Sequence, residues 1–141
     1  MDKLDIAQQI VDYYKSGHTI AETKAYAESM GLASFYHAGS ILARRSTPDT
    51  YVLPISAVVM GELAWVLIPG EFYDTTMRYV RENSPYDCNF NVTWNYEGYT
   101  YYPSLKAWEY GCYETDTSRS APGTAEAIAD HLLEMLNKLH G

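Results

Sequence analysis

The chain has 141 residues, the usual size of one domain, and is 47% apolar and 20% charged, which places it among globular rather than disordered proteins. Its 18 acidic and 10 basic residues give a formal net charge of −8, which argues against a basic surface for nucleic acid. No run approaches the roughly 18 apolar residues of a membrane-spanning helix, and Met1-Asp2-Lys3-Leu4-Asp5 carries no signal-peptide core, so at face value the chain is expected to be cytoplasmic.

Taken in order, Leu4, Ile6, Ile10, Val11 and Tyr14 recur at helical spacing over residues 3–16, and Ser16-Gly17 ends that helix. Thr19-Ile20-Ala21-Glu22 fits a capping box, in which the Thr and Glu side chains satisfy each other's backbone donors, and opens a second helix to about Met30. A third helical stretch is expected over residues 32–45. Ser46-Thr47-Pro48-Asp49 is turn chemistry. Residues 51–60 read as a strand, at an edge or a bulge because Pro54 lacks a ladder donor. Met60-Gly61-Glu62 then closes a hairpin to the run Leu63-Ala64-Trp65-Val66-Leu67-Ile68. Six apolar residues bounded by Gly and Pro predict a central strand covered on both faces.

Pro69-Gly70 stops that strand, and residues 72–83 read as a helix. Glu71 therefore stands where a strand hands over to a helix, at the end of an α/β sheet that usually binds ligands. A Glu in a first helical turn also interacts well with the helix dipole and needs no function for that. Residues 88–96 alternate cleanly, with Cys88, Phe90, Val92, Trp94 and Tyr96 on one face and Asn89, Asn91, Thr93 and Asn95 on the other. The apolar face is expected to pack on helices. The amide face is expected to meet solvent, or something that covers it. A short helix is predicted around residues 104–109, a polar loop over 113–120, and a last helix opened by Pro122. That helix carries an apolar stripe of Ala125, Ile128, Ala129, Leu132, Leu133, Leu136 and Leu139.

The expected fold is α/β (α+β): a mixed three-stranded sheet with an N-terminal hairpin, packed by helices from both ends of the chain. It forms one domain with a helical region over 1–45 and an α/β segment over 50–141. Cys88 and Cys112 form no C-x-x-C pair and read as reduced thiols. The 14 tyrosines fall mostly between Tyr73 and Tyr113, which suits a cleft or an interface as well as a core edge. If two neighbouring strands run parallel, their exits bring Glu71 near Tyr99, Tyr101 and Tyr102. A carboxylate with phenols is able to ligate a metal or to do acid–base work.

Four motifs then occur in order. They are Pro69-Gly70-Glu71-Phe72 with Thr75-Thr76-Met77, Arg78 and Arg81; Tyr101-Tyr102-Pro103-Ser104; Tyr113-Glu114; and Ser118-Arg119-Ser120-Ala121-Pro122-Gly123. Together they resemble the C-terminal part of the catalytic domain of the neutral/alkaline non-lysosomal ceramidase family, from about residue 50 onward. The resemblance implies a zinc-dependent hydrolase of lipid-like N-acyl amides. It places a zinc-ligating Glu on Glu71, a zinc-ligating Tyr on Tyr101, and on Tyr113 the phenol that polarises the substrate carbonyl. Tyr99 and Tyr102 crowd the metal-type position and are assigned to substrate binding. Tyr73-Asp74 interrupts the first motif, and the family's two upstream His ligands have no counterpart among His18, His37, His131 and His140.

The chain is therefore expected to be a fragment or truncated relative of such an amidase, inactive alone. Its partner would be the rest of the catalytic domain or a second copy of itself. The alternative is a non-enzymatic binding or self-assembly module on the same scaffold. G-x-S-x-G, H-E-x-x-H and P-loop patterns are absent from the sequence.

Overall fold

A computed structural model describes residues 2–46, 48, 50, 52–93 and 100–141. The chain divides into two compact units, Met1–Asp49 and Thr50–Gly141.

The first unit is three helices, α1 (Lys3–Lys15), α2 (Ile20–Ser29) and α3 (Phe35–Ala43), followed by a 3-10 turn at Arg44–Ser46. The capping box of α2 forms: Glu22 N–H donates to Thr19 Oγ1 at 3.2 Å, and Thr19 N–H donates to Glu22 Oε2 at 2.8 Å. The Thr19 N–H, and then the Thr19 hydroxyl, which also donates to Glu22 Oε2 at 2.7 Å, hold the Glu22 carboxyl below its ordinary range. Ser34 caps α3 by accepting from His37 N–H at 3.2 Å. Ala7, Ile10, Ala27, Leu32, Ala38 and Ile41 make this unit's own core.

The second unit carries the α/β fold. The three-stranded sheet has the order β1 (Ser56–Met60), β2 (Leu63–Leu67), β4 (Cys88–Val92), and a two-stranded ladder joins β3 (Glu71–Phe72) to β5 (Tyr101–Tyr102). β1 and β2 form the expected antiparallel hairpin around Gly61, with Met60 opposite Leu63. β2 and β4 run parallel, with Leu63 opposite Cys88. Helix α4 (Asp74–Asn83) is the crossover between the parallel strands, and α7 (Thr124–His140) packs beside it. Ala64, Val66 and Ile68 of the central strand are buried against Met77, Val80, Leu132 and Leu136 of those helices. The shorter helices α5 (Leu105–Tyr110) and α6 (Tyr113–Thr117) follow β5.

Four expectations are corrected. Helix α4 begins at Asp74, not at residue 72, because Glu71 and Phe72 are held as a strand against Tyr101 and Tyr102. Asp74 therefore occupies the first helical turn, and the helix dipole does not account for Glu71. Residues 113–117 are a helix, since Thr115 Oγ1 accepts from Cys112 N–H and donates to Cys112 O, both at 2.8 Å. The last helix starts at Thr124, after Gly123 in the left-handed region at φ 85°.

The largest correction concerns β4, whose faces are the reverse of those expected. Asn89 and Asn91 turn inward, where Asn91 Nδ2 donates to Met77 O of α4 at 3.0 Å, while Phe90 and Val92 are exposed. Trp65 stacks on Phe90 at 5.8 Å, and Val58 and Met60 of β1 are exposed as well. Trp94, Tyr96 and Asn95 lie outside the described residues.

Candidate functional site

The site is built on the β3–β5 ladder. Leaving β2, the chain turns through Pro69 and Gly70, and Glu71 N–H donates to Thr100 O at 3.0 Å, which puts Glu71 opposite Tyr101 and Phe72 opposite Tyr102. Gly70 is required for this approach. It has φ 73°, and a Cβ there would stand 2.4 Å from Thr100 O and 2.8 Å from the Tyr102 ring.

On the far side, the Ser118-Arg119-Ser120 segment clasps β5. Ser118 Oγ donates to Tyr101 O at 2.7 Å, and Arg119 N–H donates to Thr100 Oγ1 at 2.7 Å. Ser118 is almost wholly buried, so its hydroxyl satisfies a carbonyl in a place that water hardly reaches.

Tyr101 and Tyr113, which begins α6, meet edge to face with ring centroids 5.9 Å apart. Glu71, Tyr73, Asp74, Tyr101 and Glu114 line a cleft of about 400 Å³. Burial pushes the Tyr101 phenol up, and the nearby Glu71 carboxylate, the Tyr113 phenol and the Glu114 carboxylate push the same way. The structure thus pairs Glu71 with Tyr101 in register and sets Tyr113 against the Tyr101 ring, while Tyr113 itself is not among the residues that line this cleft.

Tyr102 is different. It is fully buried and stacked on Phe72 at 4.4 Å, so it supports the ladder from the core side rather than facing the cleft. The substrate-binding assignment of Tyr102 is corrected on that ground. Tyr99 lies outside the described residues.

Sequence reasoning assigns no role to three members of the site, Tyr73, Cys112 and Glu114. Tyr73 Oη lies 3.1 Å from Cys112 Sγ and donates to Glu114 Oε2 at 3.2 Å. Burial, the thiol and the Glu114 carboxylate all push the Tyr73 phenol far above its ordinary range. Glu114 is held low, mainly by its own backbone N–H and then by the Cys112 thiol and Tyr73. The Tyr113-Glu114 pair is a visible motif. The Tyr73–Cys112 contact has no sequence signal, because 39 residues separate the partners.

Tyr73 and Thr75 also border a larger, mainly apolar groove of about 790 Å³ between α4, α5 and α7, lined further by Tyr79, Leu105, Ala107 and Tyr110. Among the described residues no three His, Cys, Asp or Glu side chains are grouped closely enough to hold a metal ion. His131 pairs with Glu134 on the surface of α7, and His140 meets the Tyr86 ring edge-on. No described helix is long and apolar enough to cross a membrane. No protein-family model, curated protein or solved structure matches the chain.

Proposed function

We propose that residues 50–141 are the C-terminal part of the catalytic domain of a zinc-dependent amidase similar to the neutral ceramidases, acting on an N-acyl amide and inactive alone. The observation that carries this reading is the Glu71–Tyr101 pair in register, with Tyr113 beside it. One carboxylate and one phenol suit zinc as oxygen donors, but a catalytic zinc normally takes three protein ligands. The fit is that of half a site. The remaining donors would come from a polypeptide segment other than the described residues.

Bound zinc would polarise the substrate carbonyl and lower the pKa of a water to about 7. The chain's own contributions follow from its geometry. Glu71 supplies a carboxylate at the cleft. Tyr101 is fixed by the bonds that Ser118 and Arg119 make to its strand. Tyr113, about half exposed, presents a phenol able to donate to an oxyanion. The apolar groove beyond Tyr73 suits a lipid-like tail.

Zinc titration followed by the near-ultraviolet difference spectrum of tyrosine tests this reading. The expected result is weak binding that perturbs a tyrosine and is lost in both Glu71→Gln and Tyr101→Phe. A chain in which zinc perturbs no tyrosine at any concentration would refute the reading. Micromolar or tighter binding abolished by Glu71→Ala would show a complete site and refute its dependence on another segment.

The second reading is a non-enzymatic assembly module on the same scaffold. What favours it is the exposed apolar face at Phe90 and Val92, with Trp65 stacked against it. A stable oligomer whose tyrosines ignore zinc is its signature.

A further inference from the structure

The cleft at the β3–β5 ladder holds more charge than the Glu71–Tyr101 pair accounts for. Glu71 of β3 and Glu114 of α6 line the same cavity of about 400 Å³, together with Tyr73 and Tyr101. Asp74 lines it too, but its carboxylate is paired with Arg78 and Arg81. Glu71 is half-buried, and among the described residues its carboxylate has no hydrogen-bond or ion-pair partner.

Glu114 is held firmly instead. Its carboxylate accepts from the Tyr73 hydroxyl at 3.2 Å. Its own backbone N–H, then the Cys112 thiol and that phenol, keep the Glu114 carboxyl below its ordinary range. Glu114 is therefore a fixed negative charge at neutral pH. The Tyr73 and Tyr101 phenols are both pushed up, burial being the first cause in each, so both rings stay neutral beside it. The cavity is walled by two ionised carboxylates and two neutral aromatic rings.

The spacing of these groups selects the kind of cation. A metal ion draws its donors to within about 2.0–2.6 Å of one point. Among the described residues, no three His, Cys, Asp or Glu side chains are grouped that closely. The cavity is also far wider than a bare ion. Separated carboxylates and ring walls suit a bulkier cation, one whose charge is spread over alkyl groups. Such a cation is attracted by the negative faces of the rings as well as by the carboxylates.

We propose that this cleft binds an alkylated ammonium group, with Glu71 and Glu114 as its counter-charges and Tyr73 and Tyr101 as its walls. The inference goes beyond the zinc reading and does not rest on it. No metal is needed, and Tyr101 contributes its ring rather than its oxygen.

Choline is the probe, and its neutral carbon analogue, dimethylbutanol, is the control of the same shape. Both are titrated into the full chain with a chelator present and followed by nuclear magnetic resonance. Choline should bind saturably and shift the signals of Glu71, Tyr101 and Glu114, and dimethylbutanol should leave them unmoved. Glu114→Gln keeps an acceptor for the Tyr73 hydroxyl and should weaken choline about tenfold. Glu82→Gln, the same charge change at an exposed position of α4, should leave the affinity unchanged. Tyr101→Phe keeps the ring and should bind choline like the unsubstituted chain, although it loses the zinc-induced signal. Tyr101→Leu should lose choline with its circular dichroism unchanged. Equal binding of choline and dimethylbutanol would overturn the proposal, and so would a Glu114→Gln chain that binds choline undiminished. A zinc response without choline binding would overturn it and leave the zinc reading standing. Choline binding without a zinc response would sustain it and refute the zinc reading.

Discussion

Glu71 and Tyr101 lie opposite one another on two short parallel strands, joined by the 3.0 Å bond from Glu71 N–H to Thr100 O. Neither residue sits in a helix or in the main sheet. Their meeting depends on the turn that precedes one and the serines that hold the other, and both supports are open to measurement.

Gly70→Ala should destabilise the second unit by about 3 kcal/mol, through a left-handed backbone and overlap with Thr100 O. Gly61→Ala, also at positive φ but with open space around it, should cost about 1 kcal/mol. Urea unfolding of the two variants checks the contrast, and equal losses would mean that the close approach at Gly70 is not what holds β3 in place.

Ser118→Ala leaves Tyr101 O without this donor in a buried place. The expected cost is about 1–2 kcal/mol by denaturant midpoint. The zinc-induced tyrosine signal should weaken along with it. A variant that keeps full stability would place the clasp elsewhere.

The Tyr73 phenol is pushed up from its ordinary value of 10.0, with burial first and Cys112 next among the causes. A group with a raised folded-state pKa contributes stability that is fully present below its unfolded pKa and is lost as pH rises above it. The chain should therefore lose stability above about pH 10, and Tyr73→Phe should flatten that loss. Spectrophotometric titration should also show one late-ionising tyrosine disappear in Tyr73→Phe. An unchanged titration curve would rule out Tyr73 as that group.

Leu132→Ala removes a fully buried side chain where α7 meets the sheet and should cost about 3 kcal/mol. Leu139→Ala, half exposed near the end of the same helix, should fall within about 0.5 kcal/mol of the unsubstituted chain. Thermal unfolding of both variants checks whether the stripe loses its packing toward the end of the helix.

Much of the architecture is written locally. The capping box at Thr19, the hairpin at Gly61 and the stripe on the last helix each follow from residues close together in the chain. The central strand does too, but its all-apolar run predicts cover on both faces, and only the Ala64–Val66 face is fully buried. Glu71 and the tyrosine exits come together because strand ends in a parallel pair must lie side by side. The alternation of β4 likewise reveals two faces. Which of them turns inward is settled only when α4 crosses the sheet: with Met77 O offered to Asn91, the amides go under the helix and Phe90 goes outward. Period two carries no sign, since reversing a strand's faces leaves its sequence pattern unchanged. The same holds for Tyr73, Cys112 and Glu114, whose contact depends on how far α6 reaches back across the cleft, a distance that no neighbouring residue encodes.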